Sequence, residues 1–258
     1  MVHPFLDHSG IMAIAHRGGN ETAPENTMAA FAHAVSLGYR CIETDVHASR
    51  DGVLMAFHDA DLGRLAGVSA RIGDLDFAQI SRLRIDGEHA IPRLEDLLDA
   101  WPDIRINIDP KSDAAVAPLE RLLKGKRVLE RICIGSFSHR RLRHLRESLG
   151  PGLCSSASPL EVAALRFARP RRPAYACLQI PLRHFAVPVL SPALLTRARR
   201  SGLPVHVWTI NDPVQMKHLA AMGVDGIMTD RLSLLLDVLE EHTTGTGAGT
   251  ASSRRPPA

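Results

Sequence analysis

The chain has 258 residues, enough to bury one large core and to build a single α/β barrel domain. A net charge of +3 mildly favours anionic small molecules and is far too small for a nucleic-acid binder, and no apolar run approaches the length of a membrane span. The start, Met1 to Gly10, lacks the basic and apolar stretches of a secretory signal. The four cysteines, Cys41, Cys133, Cys154 and Cys177, form no CxxC pair, so a disulfide framework or zinc site is not expected and small buried thiols in a reducing cytoplasm are.

Along the chain, strand-like and helix-like runs alternate. Residues 12–15 read as the first strand and 24–37 as the helix after it, ended by Gly38. The second strand, 41–46, leads to Asp51-Gly52, a strong turn signal, and to 53–57, an extended run expected to pair with the end of that strand. Residues 60–91 are a long connection, modestly helical near 75–83. They read as a small insertion after the second barrel strand, crossing the top of the barrel and helping to form the substrate mouth.

Helix 94–101 and strand 105–108 follow, then helix 114–123, strand 132–136, helix 140–149, strand 152–155 and helix 159–167. The last units are strand 174–180 with helix 192–201, strand 204–209 with helix 213–222, and strand 226–229 with helix 232–241. Ser158-Pro159, Ser191-Pro192 and Asp212-Pro213 each put a capping side chain ahead of proline at the first helical position. Eight such units favour a closed (β/α)₈ TIM barrel over an open sheet. The barrel domain is then 1–242, and 243–258, rich in Gly, Thr, Ser and Pro, is expected to be a disordered tail.

Glu43, Asp45 and His47 are spaced by twos, so on a strand they point to one side, with Ile42, Thr44 and Val46 on the other. Taken alone, Glu43 and Asp45 are equally well explained as exposed charges paired with arginines. Asp109 ends the next barrel strand and supplies a third carboxylate, which tips the reading to an oxygen-ligated divalent cation, Mg²⁺ or Ca²⁺. Asn107 and Lys111 share the parity of Asp109.

His16-Arg17-Gly18-Gly19 follows the first strand. Its glycines permit a tight turn with amides close to an anion, and Arg17 can fork onto phosphate oxygens. His58-Asp59 ends another apolar run, so two histidines beside a cation site offer an acid and a base. Glu25-Asn26-Thr27 reads as a helix start. Trp208 either packs a bound alcohol or fills the core; Gln179 either bonds in the pocket or is structural. The basic run from His139 to Arg146 is a solvated helix face, and the arginine-rich stretch 169–172 is a surface loop or an attractor of anionic lipid.

At these residues the chain resembles the glycerophosphodiester phosphodiesterase family. The matching segments are AHRGGNETAPENTMAAF (15–31), IETDVHASRDGVLMAFHD (42–59), IPRLEDLL (91–98), INIDPKS (106–112), VHVWTIND (205–212) and GVDGIMTD (223–230). The resemblance runs to about residue 239 and implies a (β/α)₈ barrel that cleaves glycerophosphodiesters to glycerol 3-phosphate and an alcohol. On that pattern Glu43, Asp45 and Asp109 hold the metal, His16 and His58 exchange protons, and Arg17 and Lys111 hold the phosphate.

The chain departs from the family at Asp109-Pro110-Lys111, where Glu-x-Lys is usual. The shorter carboxylate brings the cation closer to its strand or admits a bridging water. This Asp-x-Lys form resembles the related lysophospholipase D and sphingomyelinase D enzymes, so a lysophospholipid is an alternative substrate; the lack of an export signal weighs against a secreted toxin-like enzyme. A third reading is a non-catalytic barrel that binds phosphate esters. It keeps the basic pocket but has no need of a matched histidine pair.

Overall fold

The computed structural model describes residues 2–167 and 173–247. Its barrel strands are β1 (Met12–Ala15), β2 (Cys41–Ala48), β3 (Arg105–Pro110), β4 (Ile132–Ile134), β5 (Cys154–Ser155), β6 (Leu178–Pro181), β7 (Val205–Trp208) and β8 (Gly226–Thr229). Each is followed by a helix: α1 (Met28–Ser36), α2 (Leu94–Ala100), α3 (Val116–Lys126), α4 (His139–Leu149), α5 (Pro159–Leu165), α6 (Pro192–Arg200), α7 (Pro213–Met222) and α8 (Leu232–Gly247). The strands pair in parallel in the order β5-β4-β3-β2-β1-β8-β7-β6, and a parallel bridge between Ser156 and Cys177 joins the two ends. That closes a (β/α)₈ barrel.

Local chemistry explains the boundaries. Ser158, Ser191 and Asp212 accept hydrogen bonds from first-turn amides, each ahead of a proline, and open α5, α6 and α7 as expected. Gly223, at φ 72°, ends α7 in the left-handed region. Outward-facing Ile42, Val46, Ile106, Ile108, Ile132 and Ile134 pack under Leu94, Leu97, Leu119, Leu142 and Leu145 of the helices. The run from His139 to Arg146 thus presents its leucines to the core and Arg140, Arg143 and His144 to solvent, but Arg146, expected on the solvated face, turns inward to Ser155 and Glu161.

The floor of the barrel is apolar. A helical turn, Pro4–Leu6, inserts Phe5 beneath Met12, Ile14, Cys41, Cys133, Cys154, Cys177 and Met228. All four cysteines are free and buried. The thiols of Cys133, Cys154 and Cys177 gather on neighbouring strands, all within 4.8 Å of one another and with the Cys133 and Cys177 sulfurs 4.0 Å apart, a grouping that their spacing in the sequence did not suggest. Among the described residues no helix is long and apolar enough to cross a membrane.

Three further expectations change. Helix α1 begins at Met28, capped by Thr27, because Glu25 and Asn26 first make a turn in which the Asn26 amide donates to the Arg17 carbonyl at 2.8 Å. The connection 60–91 does not line the mouth. It packs around its own core of Leu62, Ile72, Ile80, Ile85 and Ile91 with Met55 and Phe57, beside the antiparallel strand Leu54–Ala56 that pairs with the end of β2. Helix α8 continues to Gly247, so 243–247 extend it instead of starting an irregular tail. The stretch 169–172 and the tail from 248 lie outside the described residues.

Candidate active site

Every strand of a (β/α)₈ barrel points its C-terminal end at one rim, and that rim is where the chain's polar residues converge. At the end of β1 the backbone turns sharply through Arg17, Gly18 and Gly19, all at positive φ. A Cβ on Gly18 would sit 2.6 Å from Phe31 and one on Gly19 2.7 Å from Leu232, so only glycine lets α1 and α8 approach this closely. The turn aims the Arg17 amide at Glu43, to which it donates at 3.1 Å.

Alternation along β2 sends Glu43, Asp45 and His47 inward, all buried, while Thr44 faces the helices and donates to Asn26 at 2.8 Å. Asn26 in turn donates to Asp45 at 3.2 Å. The register of β2 against β3 sets Asp45 opposite Asp109 and Glu43 opposite Asn107. The Lys111 ammonium bridges the carboxylates, 2.7 Å from Asp45 and 2.8 Å from Asp109, and the Arg17 guanidinium lies 3.0 Å from Asp45. His47 turns away from the cavity and holds the His58 carbonyl with its Nε2 at 3.0 Å.

Each histidine of the candidate pair has its own carboxylate. His16 Nδ1 lies 2.6 Å from Asp230, just beyond β8, and Asn211 donates to the other Asp230 oxygen at 2.7 Å. His58 Nδ1 lies 2.7 Å from Asp59, which accepts from Arg64 at 2.6 Å on its other oxygen. Burial pushes both aspartates up, but their partners outweigh it and hold both below the usual carboxylate range. Ionised carboxylates only accept, so both Nδ1 atoms carry hydrogen and both Nε2 atoms are left for a ligand. Burial also works against a charged His16, yet the Asp230 bond and the nearby Glu43 raise it overall. Arg64 further bonds Glu25 at 2.6 Å, and Arg17 bonds the same Glu25 oxygen at 3.0 Å, linking the two histidine arrangements through one ionic chain.

The carboxylate cluster suits a hard cation. Glu43 is pushed up by burial and then by the Asp45 charge. Burial pushes Asp109 up even with Lys111 beside it, whereas Lys111 and Arg17 outweigh burial at Asp45 and hold it low. Two buried carboxylates and the half-buried Asp109, facing two fixed cations, leave negative charge unmatched, which an oxygen-preferring divalent ion would neutralise.

His16, Arg17, Glu43, Asp45 and His58 line one cavity of about 690 Å³ together with Asp109, Lys111, Gln179 and Trp208. Every residue singled out for a site role therefore meets in one place. Gln179 donates to Asn107 at 3.0 Å, and Trp208 meets Phe137 edge-on at 5.6 Å. The sequence reading did not single out Asp230 and Asn211, Arg64 as the brace of Asp59, or Asn26 as a donor to Asp45. Asp230 had one signal: it directly follows a barrel strand.

The sequence matches the glycerophosphoryl diester phosphodiesterase family over residues 16–234. It is 42% identical to "Probable glycerophosphodiester phosphodiesterase 2" of Mycobacterium tuberculosis, covering 95% of this chain and 96% of that one. It is 26% identical to a lysophospholipase D of Homo sapiens, over 89% of this chain and 86% of the other. The solved glycerophosphodiester phosphodiesterase of Thermotoga maritima superposes with a TM-score of 0.72 at 26% identity, over 90% of this chain and all of that one.

Proposed function

This chain belongs to the glycerophosphoryl diester phosphodiesterase family, and from that premise we propose that it hydrolyses glycerophosphodiesters to sn-glycerol 3-phosphate and an alcohol. The observation that carries the reading is the pair of imidazoles, each with Nδ1 engaged by a carboxylate, lining one cavity with Arg17 and Lys111.

Arg17 and Lys111 bind the phosphate and offset the charge that develops on it. The Nε2 of one histidine takes the proton from the glycerol 2-hydroxyl, whose oxygen attacks phosphorus. The Nε2 of the other gives a proton to the departing alcohol oxygen as its bond to phosphorus breaks. The product is a cyclic 1,2-phosphate, opened by water with the two proton roles reversed. An internal nucleophile gains from proximity, so a free neighbouring hydroxyl is required. Glu43, Asp45 and Asp109 would hold one Mg²⁺ or Ca²⁺, which supplies further neutralisation of phosphate charge when bound. Four free, buried cysteines suit a reducing cytoplasm.

A second substrate class has its own support. Beyond the histidines the cavity wall is apolar, built from Val162, Ala163, Ile180, Pro181, Val189 and Trp208. A glycerophosphocholine has little to bury there, whereas the acyl chain of a 1-acyl lysophospholipid does, and that lipid keeps the 2-hydroxyl nucleophile. The similarity to a lysophospholipase D points the same way.

The test is release of glycerol 3-phosphate from glycerophosphocholine, alongside release of choline from lysophosphatidylcholine, with Mg²⁺ or Ca²⁺ present and after chelation. His16→Ala and His58→Ala are each expected to lower turnover by roughly 10²–10⁴-fold with folding unchanged. Full activity in either variant removes the acid–base assignment, and turnover indifferent to chelation removes the metal. Ester binding without turnover in the unaltered chain would make it a non-catalytic phosphate-ester barrel.

A further inference from the structure

Seven large hydrophobic side chains are exposed among the described residues, and four of them, Phe137, Phe167, Phe185 and Val187, stand at the mouth of the active-site cavity. Phe167 and Phe185 are 87% and 90% exposed. Phe185 sits at the tip of a hairpin, Arg183–His184 paired with Val187–Pro188, that projects between β6 and α6. Phe167 follows α5, and Phe137 lies in the loop after β4. Scattered surface hydrophobes need no explanation, but a cluster around one opening marks a contact surface.

Two arginines flank these rings. Arg166 lines the cavity and donates to the Val189 carbonyl, and Arg183, in the hairpin, donates to that of Ala186. Carbonyls satisfy the guanidinium donors without cancelling their charge. The mouth therefore combines protruding aromatic rings with cationic side chains.

We propose that this face docks on an anionic lipid bilayer, with Phe167 and Phe185 entering the headgroup–acyl boundary and the arginines lying over lipid phosphates. Aromatic and aliphatic tips flanked by cations suit that boundary, where ring and charge are solvated at different depths. A second copy of the chain is the poorer occupant, because two such faces would bring like charge against like. The cavity opens on the docking face, so an amphiphile could pass into it from the bilayer. Docking goes beyond the diesterase reading and is scored by binding, so it stands or falls separately from turnover.

The experiment is co-sedimentation of the full chain with phosphatidylcholine vesicles, with and without phosphatidylglycerol. Binding is expected to be at least roughly tenfold stronger with the anionic lipid and to weaken as salt is raised. The double variant Phe167→Ser/Phe185→Ser should lose that binding roughly tenfold while hydrolysing water-soluble glycerophosphocholine at the unaltered rate. Equal partition onto both vesicle types, or retained binding in the double variant, overturns the proposal. So does a concentration-dependent dimer in sedimentation that the double variant abolishes, since the occupant would then be a second copy.

Discussion

A carboxylate whose task is to hold an imidazole can be tested by removing its charge and keeping its shape. Asp59→Asn and Asp230→Asn should each cut kcat by roughly 10²–10⁴-fold with little change in KM for glycerophosphocholine, because neither side chain lines the cavity. Steady-state kinetics on the two variants checks this. The sequence could suggest Asp59, which adjoins His58, but Asp230 is 214 residues from His16 and their contact exists only because β1 pairs with β8. Buried His206 makes a different point. Neither ring nitrogen has a hydrogen-bond partner, and burial, with His8 adding to it, pushes the ring down to about 3. The unfolded chain takes up this proton below about 6.5 and the folded chain only near 3, so stability is level above that window and falls as pH drops through it. Going from pH 7 to 5 should cost roughly 2 kcal/mol at this residue. His206→Leu should shrink the fall in urea midpoint between those two conditions; an unchanged fall would place the acid sensitivity elsewhere.

Individual elements were legible where a local rule decides them. Ser-Pro and Asp-Pro pairs marked the starts of α5, α6 and α7, and parity along β2 separated Glu43 and Asp45 from Ile42 and Val46. They were illegible where the site overrides the rule. Pro24 looked like a first helical residue, yet the chain needs a left-handed Asn26, at φ 56°, to bring an amide group to Asp45, and only then does Thr27 cap α1. Likewise the insertion 60–91 gave no hint that Arg64 would reach back to Asp59 and Glu25. The turn after β1 is the element most exposed to a single change. Gly18→Ala puts a methyl group against Phe31 and the α1 backbone at positive φ, so a loss of roughly 1–3 kcal/mol is expected, with weaker substrate binding as the Arg17 amide shifts. Thermal melting and KM together check it; an unaffected melt would show that the turn yields without strain.

At the scale of the whole molecule, the alternation of eight strands with eight helices carried the architecture, and closure followed from it. The floor did not follow. Phe5 belongs to no barrel strand, yet it is fully buried under the thiol and thioether layer and stoppers the end opposite the active site. Phe5→Ala should therefore cost about 3–5 kcal/mol in chemical denaturation while kcat/KM at low temperature is retained, because the cavity it opens lies away from the histidines. A parallel loss of activity in the folded variant would show that floor and rim are coupled.

In the finished sheet β1 lies between β2 and β8, so the earliest histidine of the site leans on one of the last acids to be synthesised. A chain still emerging from the ribosome already holds His58, the carboxylates and Lys111, but it lacks the group that orients His16 until translation passes Asp230. On the proposed acid–base roles, catalytic competence is therefore a terminal event of synthesis. Fragments released early would be inert toward phosphodiesters.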